Sequence, residues 1–438
     1  MNERTLRIPS RKPKLSNLSS SEFTWRPTPG ETSFATKLGP KLAAIGEVPM
    51  PNADFLSLAV AAFLADRTIK RPSRGWERDI AIRLPVFDDA VWTTLTPKAE
   101  FVLRLLTGDN WQVKFEPRKA TPSKKATPRA DVDRVVLLSG GADSLCGAVR
   151  ALEQGDRVLL VSHWDWTGHA KFQSDLARRL DDRYPGKVTL RQHQLSRRAR
   201  QVGSGVPFGN EPTRRVRSLL FVALGLAHAS PEPVLPMWIP ENGYAAINPP
   251  LAGERRGALS TRTTHPTVLD SLGEIVTSAG GRADISNPFE GHTKGEMFRE
   301  MRNLLGAKGA SSLLSASHSC AHVRYAVGTG YPPATQCGIC YGCLVRRSAF
   351  LAADVEDTTD YLHAIIRKAN LTNLLRTAAT NEVRTVRYAG VKGVSAADVL
   401  SLGIPDRVAL KDALAVAQRG LAELTAAVDT LADLKAVD

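Results

Sequence analysis

The 438-residue chain is too long for one typical domain, and its apolar and charged fractions are those of ordinary water-soluble globular material, which excludes a disordered or fibrous protein. The longest apolar runs, 55–65 and 219–229, fall short of a membrane span, and the basic, proline-containing 1–15 stretch lacks the apolar segment of a secretory signal. A net charge of +14 favours polyanionic company (ATP, nucleic acid or an acidic protein), and with five cysteines a cytoplasmic chain points to a metal or nucleophile before disulfides.

In chain order, residues 1–36 are polar, basic and proline-punctuated, and read as a flexible arm. Residues 37–116 predict a small α+β domain: a helix over 55–66, a strand over 79–85, a helix over 90–106 and a strand over 111–115. Trp76, Trp92 and Trp111 are expected in its core. Residues 117–133 form a cationic, proline-rich linker.

From Arg134 the rhythm becomes strand, helix, strand, predicting a doubly wound parallel sheet with ligands at the strand C-termini. Strands are expected at 135–138, 158–162, 187–191, 234–239 and 283–286, with helices from 144 and over 170–180, 215–229 and 268–278. The first of these strands ends in Ser139-Gly140-Gly141-Ala142-Asp143-Ser144. A strand that turns through glycines into a helix start is an anion site: the first-turn N–H groups lack intrahelical partners, the helix dipole is positive there, and glycine lets a phosphate approach. Ser139 and Ser144 add hydroxyls, and a carboxylate such as Asp143 beside a polyphosphate calls for Mg²⁺ between them. Ser162 and His163 close the next strand on the same edge. No GxxxxGK[ST] loop is present.

Cys320, Cys337, Cys340 and Cys343 have the spacing of a closed four-thiolate site. Structural zinc is the first reading, with an iron–sulfur cluster or a disulfide pair as alternatives. His318 and His322 flank Cys320, and Cys146 reads as a small core residue. Residues 351–438 form a helical C-terminal region with apolar spacing and no evident chemistry.

The Ser-Gly-Gly-x-Asp-Ser string resembles the PP-loop of the adenine nucleotide alpha hydrolase-like ATP pyrophosphatases. Together with Cys320…Cys337-x2-Cys340-x2-Cys343-x2-Arg346, it makes residues 134–350 resemble 7-cyano-7-deazaguanine synthase, QueC. Arg217-Ser218 and Lys294-Gly295-Glu296 resemble two further elements of that family. The resemblance implies that ATP, Mg²⁺ and Zn²⁺ are bound. It also implies that a 7-carboxy-7-deazaguanine carboxylate is adenylated and passed to an amine, with Asp143, Ser144, Arg217 and Lys294 catalytic. Ser139, Gly140, Gly141, Asp143, Ser144, Ser162 and His163 would hold the nucleotide. Glu241, Asn242, Arg262, Thr263 and His265, in the insert after the fourth strand, would hold the base.

The N-terminal domain, the insert and the C-terminal helices resemble additions in QueC-like proteins of anti-phage operons of the Qat type. That implies an acceptor on a partner protein of the operon or on nucleic acid. The alternatives are a tRNA-modifying PP-loop enzyme of thiolase type and a non-catalytic nucleotide-binding scaffold.

Overall fold

The computed structural model describes residues 2–7, 21–24, 34–36, 47–72, 76–118, 131–165, 167–200, 205–251, 262–326, 329–332, 334–366 and 373–437. Most of the expected arm and of the cationic linker, and residues 252–261 of the insert, lie outside these. Within the stretch read as an arm, three short strands form: β1 (Asn2–Arg7), β2 (Glu22–Thr24) and β3 (Phe34–Thr36).

The first layer is a four-stranded sheet in the order β2-β1-β4-β5, with β4 at Asp79–Val86 and β5 at Asn110–Pro117. Every pairing in it is parallel, where the α+β reading gives no such rule. Helix α1 (Met50–Thr68) is buried along nearly its whole length. The helix expected over 90–106 is two: α2 (Asp89–Thr94), capped by the Asp88 carboxylate, and α3 (Thr96–Thr107), with Pro97 in its first turn. Proline is tolerated there because that N–H has no helical partner, but it breaks a continuous helix. Trp92 and Trp111 are core residues as expected. Trp76 is not: it is 41 % exposed, with the Arg71 and Arg215 guanidiniums 4.8 and 5.5 Å from its ring centroid. Cation–π contact suits an indole left at the surface.

The central sheet runs β10-β9-β6-β7-β8-β3. Its strands are β6 (Arg134–Leu137), β7 (Val158–Trp164), β8 (Val188–Arg197), β9 (Met237–Trp238) and β10 (Ile285–Ser286), all parallel, with β3 added antiparallel on the β8 edge. The fourth strand is shorter than expected because Pro233, Pro236 and Pro240 hem it in.

Alternate residues of β6 and β7 face opposite cores. Val135, Leu137, Leu159 and Val161 join α1, α6 (Arg217–Ala229) and α8 (Pro266–Ser278). Val136, Val158 and Leu160 join α4 (Ala142–Glu153), α5 (Thr167–Arg183), α9 (Lys294–Ala316) and α10 (Tyr341–Ala353). This is the parallel, doubly wound α/β layering. The first of these cores also takes in Trp92, Val113 and Phe115, so the smaller sheet shares its apolar interior with the central one.

Between β9 and β10 lies the short helix α7 (Gly243–Ile247). The C-terminal region supplies α11 (Leu362–Ile365), α12 (Asn373–Lys392), α13 (Ala396–Leu400), α14 (Leu410–Thr430) and α15 (Ala432–Lys435). Leu375, Val383, Leu424 and Val428 of these helices share one core with the four clustered cysteines and Tyr244. No helix among the described residues is long and apolar enough to cross a membrane.

Candidate functional site

The strand order reverses at β6, whose neighbours are β7 on one side and β9 on the other. In an open parallel sheet, the crevice for a ligand opens at such a switch point, outside the strand C-termini. Here the two segments leaving that edge are the glycine turn after β6 and the Pro240–Gly243 stretch after β9.

Gly140 takes φ +95°, a left-handed conformation that favours glycine, and its carbonyl accepts the His318 N–H at 2.9 Å. Within the turn, the Ser144 hydroxyl donates to the Gly141 carbonyl at 2.9 Å and accepts the Ser139 N–H at 3.2 Å, while Ser139 Oγ accepts the Gly141 N–H at 3.2 Å. These bonds shape the loop around the start of α4, whose N-cap Gly141 offers no side chain to the first-turn amides. A residue that sequence reasoning missed, the buried Gln173, donates to the Ser139 and His163 carbonyls at 3.3 and 3.1 Å. It ties the turn to the next strand.

Asp143, in the first turn of α4, is the centre of a buried polar cluster. Its Oδ1 accepts the Asn242 main-chain N–H at 3.1 Å and the Asn242 side-chain amide at 2.9 Å, and its Oδ2 accepts Lys294 Nζ. Gly147, one turn along α4, makes the approach feasible, since a Cβ there would sit 2.1 Å from Pro240 Cγ. The Asn242 amide also donates to Glu241 Oε1 at 3.0 Å. Burial alone would raise the Asp143 carboxyl, but the Lys294 ammonium and the Asn242 N–H groups outweigh it and hold it below the usual carboxylate range. Glu241 goes the other way. Burial, with the Asp143 charge beside it, pushes its carboxyl up to about 8.

Asp143 and Glu241 are neighbouring hard-oxygen donors of the kind a divalent cation such as Mg²⁺ takes, and the Asp143 oxygens are here engaged by Asn242 and Lys294. Lys294 is held above the usual ammonium range: burial opposes it, and the Asp143 carboxylate it pairs with outweighs burial.

Ser162 and His163 lie on the expected edge with their polar atoms engaged by the fold. Ser162 Oγ donates to the Leu138 carbonyl at 2.7 Å. His163 donates from Nε2 to the Leu195 carbonyl at 2.8 Å, which leaves Nδ1 to accept Arg217 Nε at 3.4 Å. Arg217 also donates to the His163 carbonyl at 3.1 Å. Burial and the Arg217 charge push His163 down to about 3, so the ring is neutral.

The insert divides. Glu241 and Asn242 reach Asp143, whereas Arg262 donates to the Leu402 carbonyl at 3.3 Å and Thr263 lies beside it in the turn before α8. His265 caps α8, accepting the Thr267 N–H at Nδ1, and its buried Nε2 has no hydrogen-bond partner among the described residues.

The four cysteines of the expected metal site converge. Their sulfur atoms lie within 4.8 Å of one another, and none is in a disulfide. The Cys337–Cys343 and Cys340–Cys320 sulfur separations are 3.8 and 4.0 Å. A tetrahedron with Zn–S near 2.3 Å has edges of about 3.8 Å, so the donor set fits structural zinc. The Cys337 and His322 N–H groups point at Cys320 Sγ, and the Cys340 N–H at Cys337 Sγ, at 3.3 to 3.4 Å. Gly338 makes the left-handed turn at φ +83°. Gly342 serves differently, since a Cβ on it would meet the Ser319 carbonyl at 2.6 Å. Arg346, fully buried, ties this knuckle to the Leu314 carbonyl and Tyr361 Oη at 2.7 and 3.1 Å. His318 stacks on Phe172 with ring centroids 4.4 Å apart, so the cysteine-bearing segment and the glycine turn are packed together. Cys146 is buried, and burial, reinforced by Asp143, pushes its thiol well up.

Three curated proteins are similar to about half of the chain. Each is a 7-cyano-7-deazaguanine synthase. The one from Novosphingobium aromaticivorans is 28 % identical over 256 residues, covering 55 % of this chain and 98 % of its own length. Those from Cupriavidus necator and Cupriavidus pinatubonensis are each 26 % identical, over 244 and 247 residues, with 52 % of this chain covered in both cases and 96 and 98 % of the relative. No family model and no solved structure matches the chain. The similarities support a QueC-like family and an enzyme of that kind.

Proposed function

We propose that the chain uses ATP to activate a carboxylate on a 7-deazaguanine-type base and passes the acyl group to an amine. The observation that carries this reading is the convergence of Glu241, Asn242 and Lys294 on Asp143, beside the glycine turn at the sheet's switch point. The three similar synthases supply the substrate class.

A carboxylate oxygen bonds to the α-phosphorus of ATP, and the α–β bridging bond breaks, releasing pyrophosphate with the electron pair. The amine nitrogen then attacks the acyl carbon, AMP leaves, and the amine gives up a proton. The residues' tasks follow from charge. The first-turn N–H groups of α4, with Ser139, Gly140, Gly141 and Ser144, receive phosphate oxygens. Lys294 and Arg217 offset charge developing on the leaving group. Asp143, with Glu241 beside it, would hold Mg²⁺, which supplies Lewis-acid polarisation of the phosphates. Ser162 and His163 act by shaping the edge and aiming Arg217. Arg262, Thr263 and His265 are our candidates for the base, supported by the buried His265 nitrogen that has no hydrogen-bond partner among the described residues. The zinc site holds the knuckle that packs on the turn.

Extension of the acceptor to a partner protein or nucleic acid of an anti-phage operon rests on the resemblance of the added segments and on the +14 charge. The thiolase alternative needs a reactive free thiol, and Cys146, the one cysteine outside the cluster, is buried with its thiol proton held.

Incubation with ATP and 7-carboxy-7-deazaguanine is expected to release AMP and pyrophosphate, and Asp143→Asn to lower the rate by about a hundredfold or more. No release from the wild-type protein, with or without an added amine, overturns the reading. Release that Asp143→Asn leaves intact overturns the assignment of this site.

A further inference from the structure

Two arms deliver the groups around Asp143: α7, whose N-cap is Asn242, and α9, whose first residue is Lys294. The arms touch one another, because the Gly243 N–H donates to the His292 carbonyl at 2.7 Å, and Asn287 exchanges hydrogen bonds with the Glu241 main chain at 3.1 and 2.8 Å. Both arms also rest on one face of α14, far along the chain and outside the part resembling a synthase. Val416, Arg419, Gly420 and Glu423 lie at helical spacing i, i+3, i+4 and i+7, which places them on one stripe.

Each member of that stripe has a definite task. The Tyr244 ring lies so close to Gly420 that a Cβ there would be 2.3 Å from Tyr244 Cγ. Gly243 packs against the same stripe less closely: a Cβ there would be 3.2 Å from Val416 Cγ2, and 2.0 Å from the Glu290 carbonyl oxygen. On the other arm, Glu423 Oε1 accepts the Thr293 hydroxyl, and Oε2 accepts the Gly295 N–H at 3.1 Å. Gly295 admits this carboxylate, since a Cβ would meet Glu423 Oε1 at 2.5 Å. Arg419 donates to Glu296 Oε1 at 2.7 Å and to the Gly291 carbonyl at 2.9 Å. A carboxylate at the start of α9 is also favoured by the helix dipole.

We propose that α14 is a brace for the site, and that Glu423 and Gly420 are positioning residues that fix the separation of Lys294 and Asn242 about Asp143. Neither touches a reacting group. A lost carboxylate lets the first turn of α9 fray, and Lys294, whose ammonium is held by the Asp143 carboxylate, shifts with it. Misplacement on the order of 1 Å is enough to cost about a hundredfold in rate. The inference adds a role for the C-terminal region and rests on the proposed reaction only for its kinetic consequence.

The test uses the full chain carrying Glu423→Ala, Glu423→Gln or Gly420→Ala, each compared with wild type by amide hydrogen exchange and by pyrophosphate release. Glu423→Ala is expected to raise exchange at 292–297 and at 241–247, to lower kcat by about ten- to hundredfold, and to leave KM for ATP and the zinc content near wild type. Glu423→Gln keeps an acceptor for Gly295 and should recover most of both losses. Gly420→Ala should raise exchange first at 241–247, because it strikes the other arm. Increased exchange confined to α14, with kcat unchanged, shows ordinary packing and overturns the brace. If the wild-type chain releases no pyrophosphate, the reaction assignment fails, and the coupled exchange at the two arms still decides this proposal.

Discussion

Asn242 grips Asp143 with two donors, its main-chain N–H at 3.1 Å and its side-chain amide at 2.9 Å, while its Oδ1 accepts the Ala245 N–H and caps α7. One side chain therefore serves a helix and a carboxylate at once. Asn242→Asp separates the two duties. Aspartate caps a helix as well as asparagine does, so folding should survive, with a loss of about 1–3 kcal/mol for the hydrogen bonds the side-chain amide no longer donates. Loss of the side-chain amide donor, and a further carboxyl crowded against Asp143 and Glu241, should nevertheless lower the rate of AMP formation about a hundredfold. Denaturant unfolding and an AMP assay on the same preparation check the pair of outcomes.

Acid should weaken the fold through His163. Its folded value is pushed down from 6.5 to about 3, so below pH 6.5 the unfolded chain binds a proton that the folded chain refuses. The stabilisation from the neutral ring is therefore complete above pH 6.5 and is lost as the pH falls, by up to about 1.4 kcal/mol per unit, levelling near pH 3. His163→Gln should be less stable at pH 7, having lost a ring wedged between Leu195 and Arg217, yet show a flatter decline in acid. Unfolding free energies at a series of pH values give the comparison.

How far the sequence foretold this site depends on distance along the chain. The glycine turn, Asp143 and Ser144 are contiguous, and Cys337, Cys340 and Cys343 are separated by two residues, so their geometry is local and the pattern alone exposes it. Glu241, Asn242 and Lys294 were legible as polar residues near a sheet edge, but not as partners of Asp143, because the partners stand 99 and 151 positions away. Gln173 and Glu423 gave no signal at all: each sits on an ordinary amphipathic helix, and only packing aims it. The brace helix was visible as a helix and silent about its purpose. Trp76 erred in the opposite sense, since hydrophobicity predicted burial while two arginines supply a partner at the surface. Strands β1 to β3 were hidden because a polar, proline-rich composition resembles a loose arm when its neighbours in the sheet are unknown.

The cysteine cluster should contain one zinc per chain. Elemental analysis is expected to find it, and a visible absorption band from an iron–sulfur cluster should be absent. Cys340→Ser should lose the metal and, with it, the core that the sulfurs share with Leu344, Leu375 and Leu424, giving a chain that unfolds at lower denaturant. Cys146→Ser should keep both metal and activity, which separates carboxylate activation from sulfur transfer.

The fate of one oxygen atom tests the central claim most directly. If the base's carboxylate is activated as an acyl adenylate, heavy oxygen placed in that carboxylate must appear in the phosphate of AMP after the amine has reacted, and mass spectrometry of the nucleotide reads it. The account predicts label in AMP and none in pyrophosphate. Label in inorganic phosphate, or AMP that carries none while product forms, contradicts it.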